Sequence, residues 1–162
     1  EKAEPLRQRI LKVAESNLGP DHPDLEWPLN HLAHLYRYMG RYAKAEQLYQ
    51  RNLEIQESKY GPEHRNVVRA LESLAGLYRS LGRYDKAEPV LLRALKIEEA
   101  QRGFPRSEAH RYLGELAKVS AAMGQYEKEE AFRQRELRAI ELLFGPRDRL
   151  VAGGRAVSVK AD

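Results

Sequence analysis

The chain has 162 residues, 42% apolar and 32% charged, with 8 prolines and 11 glycines, a balance that suits one folded domain or one short repeat array and excludes a disordered or collagen-like chain. Its 28 basic and 24 acidic residues are interspersed, so the formal charge of +4 is too small a bias to argue for nucleic acid, which is a disfavoured partner. The lack of cysteine removes disulfides, thiolate catalysis and cysteine-bound zinc, and no apolar run approaches the roughly 18 to 20 residues that cross a bilayer, so no membrane partner is expected.

Residues 1–18 read as a helix whose Lys2, Ala3, Glu4 and Leu6 match Lys44, Ala45, Glu46 and Leu48 at an offset of 42, and it is expected to be the second helix of an incomplete repeat, in a fragment of a longer array. The offset recurs along the chain: Gly19, Gly61, Gly103 and Gly145 are each 42 residues apart, with Gly-Pro-Asp-His at 19–22, Gly-Pro-Glu-His at 61–64 and Gly-Pro at 145–146. Three units follow, 19–60, 61–102 and a degenerate 103–144. In the first unit, Leu25, Leu29, Leu32, Tyr36 and Met39 fall on one helical stripe, and Gly40 ends that helix. Ala45, Leu48, Tyr49, Asn52 and Leu53 predict a second helix at once. Pro28 interrupts the first stripe, so that helix starts near Asp24 or its first turn bends.

In the second unit Leu71, Leu74, Ala75, Tyr78, Gly82 and Tyr84 repeat Leu29, Leu32, Ala33, Tyr36, Gly40 and Tyr42, and Ala87, Val90, Leu91, Ala94 and Leu95 form the second stripe. Asp85 and Glu88 have capping-box spacing, with the residue before them an alternative cap. Pro89 and its repeat equivalent Pro5 are expected near helix starts, where a missing amide costs little. The third unit keeps Leu113, Leu116, Ala117, Gly124 and Tyr126, but Ser120 breaks the series and Glu129, Arg133 and Glu136 replace Ala87, Leu91 and Ala94. It is expected to pack less regularly or to cap the array. Residues 145–162 lose the register from Leu150 onward, and Gly153-Gly154 predicts an irregular tail.

The sequence Gly-Pro-Asp-His-Pro-Asp at 19–24, Leu-Asn-x-Leu-Ala-x-Leu-Tyr at 29–36 and Gly-x-Tyr-x-x-Ala-Glu at 40–46 resembles the tetratricopeptide repeat, in the 42-residue variety of kinesin light chains and many bacterial proteins. The resemblance covers residues 1 to about 146 and implies an all-α, right-handed helix-turn-helix solenoid whose first helices line a concave, partner-binding surface. Members that clamp a terminal carboxylate use Lys and Asn on adjacent turns of those helices. The matching pairs here, Asn30 with His34, Glu72 with Gly76 and Gly114 with Lys118, lack that clamp.

Helical geometry selects the same surface independently. Trp27, Asn30, His34, Arg37 and Tyr38 fall opposite the apolar stripe of the first unit. The second unit presents Arg69, Glu72, Ser73, Gly76 and Arg79 there, and the third Arg111, Gly114, Glu115, Lys118 and Ala121. The result is a polar, net-basic strip with an aromatic end, suited to a protein or peptide partner of acidic character. The function expected is that of a non-catalytic binding module in a scaffold or adaptor, in the cytoplasm. The alternative is self-association through exposed solenoid ends. His31 and His34 have a spacing that can chelate a metal, but no HExxH accompanies them, and His22 and His64 belong to the inter-repeat turn. No phosphate loop, nucleophile elbow or isolated carboxylate pair stands out, so neither metal nor cofactor is expected.

Overall fold

The computed structural model describes residues 3–100 and 107–144. Seven α-helices are formed among the described residues: α1 (Ala3–Leu18), α2 (Glu26–Tyr38), α3 (Tyr42–Tyr60), α4 (Arg65–Ser80), α5 (Tyr84–Ala100), α6 (Ser107–Ala122) and α7 (Tyr126–Phe144). Consecutive helices from α1 to α7 pack on one another, so the array is held by neighbour contacts. Helices α2, α4 and α6 are the first members of helix pairs, and α3, α5 and α7 the second.

Each pair turns through the same hydrogen-bonded loop. After α2, the Gly40 amide donates to the Arg37 carbonyl at 3.1 Å and the Arg41 amide to the Tyr36 carbonyl at 2.8 Å, the two bonds of a Schellman ending. The turn needs Gly40 at φ 72°, and Gly82 and Gly124 take φ 66° and 71° at the equivalent bonds after α4 and α6. A Cβ on any of the three would meet nothing within 4 Å, so the demand is for backbone conformation rather than space. The entries to α2 and α4 are set by His22 and His64, whose Nδ1 atoms accept from the Asp24 and Asn66 amides, each at 3.2 Å.

One sequence expectation is resolved and three change. A 3-10 turn, Pro23–Leu25, precedes α2, which puts Pro28 in the first helical turn where its missing amide would have no partner, and Pro28 is buried there. Met39 leaves the apolar stripe: it is the C-cap residue of α2 and is 40% exposed. Pro89 lies inside α5, beyond the turn whose amides are free, and Asp85 is the second residue of that helix rather than its cap. The Arg83 carbonyl accepts the first helical bonds, from Lys86 and Ala87, while Glu88 pairs with Lys128 at 3.0 Å instead of closing a capping box.

The core follows the stripes: Leu25, Leu29, Leu32, Ala33 and Tyr36 are buried against Ala45, Tyr49, Asn52 and Ile55, and Leu71, Leu74, Ala75, Leu77 and Tyr78 against Ala87, Leu91, Ala94 and Leu95. Each fully buried leucine contributes about 1.5 to 3 kcal/mol relative to an exposed one. The third pair is thinner. Helix α6 buries Leu113, Leu116 and Val119, but residues 126–143 of α7 contain no fully buried residue, and Phe132 and Ala139 are only partly covered. One of the charged substitutions, Glu136, finds a physical reason here. Asn30 and Asn52 meet at 3.4 Å in the first pair, and the equivalent positions of the third hold Gly114 and Glu136. The glycine leaves the space that the Glu136 carboxyl group occupies, its Cδ 3.1 Å from where a Gly114 Cβ would stand.

The repeats are also joined by polar contacts that recur with the period. Glu4, Glu46 and Glu88, at the Glu of the Ala-Glu signature, accept from the next repeat: Arg41 at 2.6 Å, Arg83 at 3.3 Å and Lys128 at 3.0 Å. The Tyr78 hydroxyl donates to Glu46 at 2.8 Å, and burial together with that carboxylate pushes its pKa up to about 12. Ser120, at the same position in the third pair, is too short to reach back, and its Oγ is buried without a partner among the described residues. Arg51, Arg93 and Arg135 form a further set with Glu15, Glu57 and Glu99 of the preceding second helices. Arg51 and Arg93 also donate to the Pro20 and Pro62 carbonyls, at 2.7 and 2.9 Å. The tail at 145–162, with Gly103 and Gly145 of the repeat series, lies outside the described residues.

Candidate functional site

The first helices place the strip on one face, where three successive clefts open between α2, α4 and α6. The first cleft, about 600 Å³, is lined by Trp27, Asn30, His31, Arg69, Glu72 and Ser73 together with Pro23, Asp24 and Glu26. The second lies between Arg69, Glu72 and Arg111, and the third between Glu72, Gly76, Arg79, Leu91 and Glu115, with Tyr112 shared by both. Nine of the fifteen strip residues named above are thus brought together. His34, Arg37, Tyr38, Gly114, Lys118 and Ala121 are not among the lining residues of these clefts.

At the aromatic end, Trp27 is 57% exposed and lies against the His31 ring at 4.2 Å between centroids, while His31 Nδ1 donates to the Trp27 carbonyl at 2.9 Å. The indole is therefore held in place yet open to a partner. Tyr38 is 85% exposed at the end of α2, with Arg37 over its ring. Asn30 connects the face to the interior: it accepts from Asn52 at 3.4 Å, and the buried Gln56 donates to Asn52 and, at 3.0 Å, to the Pro23 carbonyl. His34 sits edge-on to Tyr49 at 5.7 Å, and its pKa is lowered by burial first and then by Arg37, His31 and Arg7.

Most of the positive charge is already engaged. Arg69 pairs with Glu26 of α2 at 2.7 Å, Arg79 of α4 pairs with Glu115 of α6, and Arg111 of α6 pairs with Glu72 of α4. Lys118 pairs with Glu115 at 2.9 Å within α6. The Tyr112 hydroxyl donates to Glu72 at 2.6 Å, and burial, then that bond, raises its pKa. The strip is thus a lattice of inter-repeat ion pairs more than an open basic surface. Arg37 differs: among the described residues no carboxylate lies within ion-pair distance of it, and its guanidinium crosses to α4, where a Cβ on Gly76 would stand 3.9 Å from Nη1.

Glu26 and Tyr112 belong to this face and escaped the sequence reading. Tyr112 stands at the position of the buried Pro28 and Ala70, so the periodicity marks it as core, and only its hydroxyl reaches the groove. Glu26 lies one residue before Trp27, the first position of the strip. Among the described residues, no group of three His, Asp or Glu side chains is placed to share a metal ion, and no helix is long and apolar enough to cross a membrane.

A family model described as tetratricopeptide repeat matches residues 1–51 and 24–100. The solved structure of BtubC (BKLC) from P. vanneervenii superposes with a TM-score of 0.81 at 24% identity, over 99% of this chain and 63% of that one. A protein from Podosopora anserina assigned as a kinesin light chain, with nearly identical TPR-like repeats, superposes at 0.72 and 22% identity, over 87% of this chain and 66% of that one. A point variant of the same protein gives the same values. This chain therefore spans somewhat under two thirds of each of these relatives. No curated protein sequence matches it.

Proposed function

From the premise that this chain belongs to the tetratricopeptide repeat family, whose repeats mediate protein–protein interaction, we propose that the face of α2, α4 and α6 binds an extended segment of a partner protein, without catalysis, in a scaffold or adaptor. The observation that carries this reading is the row of contiguous clefts on the first helices, with the fixed and exposed Trp27 at one end. Such a row suits a peptide laid across successive repeats, with an aromatic anchor near one terminus and polar contacts along its length.

The test is selection of displayed peptides on the whole chain, followed by affinity measurement on Trp27→Ala with Asn30→Ala and, as a control, on Glu54→Ala with Ser58→Ala on the exposed side of α3. A drop of tenfold or more confined to the first variant is expected. Selected peptides that bind both variants as they bind the parent would remove the groove from consideration.

One observation favours a second reading, association between copies. Leu6, Ile10 and Val13 are 60%, 45% and 51% exposed at helical spacing on α1, at one end of the described array. Sedimentation over a wide concentration range decides it: a strict monomer eliminates end-to-end association. A weak nucleic-acid role would show itself as binding that collapses steeply with added salt.

A further inference from the structure

The repeat supplies its own reference for Arg37. Arg37, Arg79 and Ala121 occupy one position of the 42-residue unit, and His31, Ser73 and Glu115 occupy another. One repeat along, Arg79 reaches from α4 across to α6 and takes the Glu115 carboxylate. The same reach from α2 carries Arg37 onto α4, but the residue there is Ser73, whose hydroxyl donates to the Arg69 carbonyl of its own helix at 3.2 Å. Gly76, one turn on, adds no side chain, and the Arg37 guanidinium lies over it. The lattice of inter-repeat pairs therefore has a gap with the arginine in place and the carboxylate missing.

A second, independent observation falls at the same place. The Tyr49 hydroxyl, on α3 behind His34 and within the electrostatic reach of Arg37, is buried and has no hydrogen-bond partner among the described residues. A buried donor without an acceptor costs stability and calls for an explanation. The equivalent residue of the next repeat, where the arginine is satisfied, is the apolar Leu91. The repeat with the unpaired arginine is thus also the one with a spare phenol.

We propose that Arg37, lying over Gly76 with Ser73 at the position equivalent to Glu115, is the subsite of the groove that takes an aspartate or glutamate side chain of the bound peptide, in the place that Glu115 fills for Arg79. This rests on the groove reading and adds to it the position and chemistry of one contact. The ligand carboxylate supplies what the repeat lacks, and the guanidinium holds it with charge-assisted hydrogen bonds. Ser73 is the residue that keeps the subsite open, since a carboxylate at that position would close it from within.

The test uses two mixtures of N-acetylated, C-amidated nonapeptides that are identical except for a central Glu or Gln, so that no terminal carboxylate takes part. The whole chain is expected to enrich the Glu mixture about tenfold over the Gln mixture. Arg37→Gln should abolish that preference, as should Ser73→Glu, whereas Ser73→Gln, of similar size and neutral, should keep it. Ser73→Glu also guards against misfolding, because it should leave the urea midpoint at or above that of the parent while losing the ligand. Equal binding of both mixtures, or a Glu preference that survives Arg37→Gln, overturns the subsite and leaves the groove reading standing. Binding of neither mixture also overturns it, and the groove is then judged by the displayed-peptide selection alone. A parent dimer that becomes monomeric in Arg37→Gln would mean that a second copy supplies the carboxylate, which likewise overturns the peptide assignment.

Discussion

Replacing Gly114 by alanine asks whether the third repeat is built around the Glu136 carboxyl group. The new Cβ would stand against Glu136 Oε1 and 3.1 Å from its Cδ, inside ordinary contact distance, so the carboxyl group has to rotate away. The backbone at Gly114 is ordinary helix, and alanine there gains about 0.5 to 1 kcal/mol of intrinsic propensity over glycine. Against this stand the displaced packing and the Arg133 to Glu136 pair, 3.0 Å apart, half exposed at the arginine and worth about 0.2 to 0.5 kcal/mol as an i,i+3 pair. The single change should therefore fall within about 0.5 kcal/mol of the parent. In a Glu136→Ala background nothing obstructs the Cβ, and the same change should stabilise by about 1 kcal/mol. A double-mutant cycle read from urea midpoints by far-ultraviolet circular dichroism should return a coupling of about 1 kcal/mol. Additivity within about 0.3 kcal/mol would show that Glu136 does not fill the space above Gly114, and the reasoning would fail.

Two tyrosines should respond in opposite ways to loss of a hydroxyl. Tyr78→Phe removes a bond to Glu46 and should cost about 1 kcal/mol, while Tyr49→Phe removes a buried hydroxyl without a partner and should be neutral or stabilising; equal losses in calorimetry would contradict the pairing described for both. Burial, Arg37 and the other nearby cations hold the folded His34 below its ordinary value of 6.5, so the neutral form is the folded one. Its contribution is complete above that ordinary value and is lost as pH falls from there toward the lower folded value; His34→Gln should flatten the fall in urea midpoint between pH 7.5 and 5, and an unchanged slope would assign it to other groups. Gly82→Ala should cost about 1 kcal/mol or more by forcing a side chain into φ 66°, and a variant as stable as the parent would mean the turn does not need the left-handed conformation.

Most of the fold was legible because its determinants are local. The 42-residue recurrence, the apolar stripes on the helix pairs and the glycines after α2 and α4 each depend on residues within a few positions of one another, where helix geometry fixes what can touch. The exceptions have physical causes. Met39 continues the spacing by number, but the helix ends beneath it, so its side chain leaves the core. Pro89 reads as a helix start only if the first turn is placed later than the packing puts it. Tyr112 is core by periodicity and groove by its hydroxyl, a distinction that spacing cannot make.

By itself the sequence determined a tandem helix-pair array, where each pair turns, and which face of the first helices escapes the core, since periodicity is a property of the chain before it packs. Tertiary structure alone decided how the charges on that face are disposed. Arg69, Arg79 and Arg111 find glutamates 43, 36 and 39 residues away, whereas Arg37 meets a serine where its repeat equivalent meets an acid. Two residues of one type at one repeat position thus differ in what they can still bind, because a charge is satisfied or left open by a neighbour that only the stacking of one repeat on the next brings within reach.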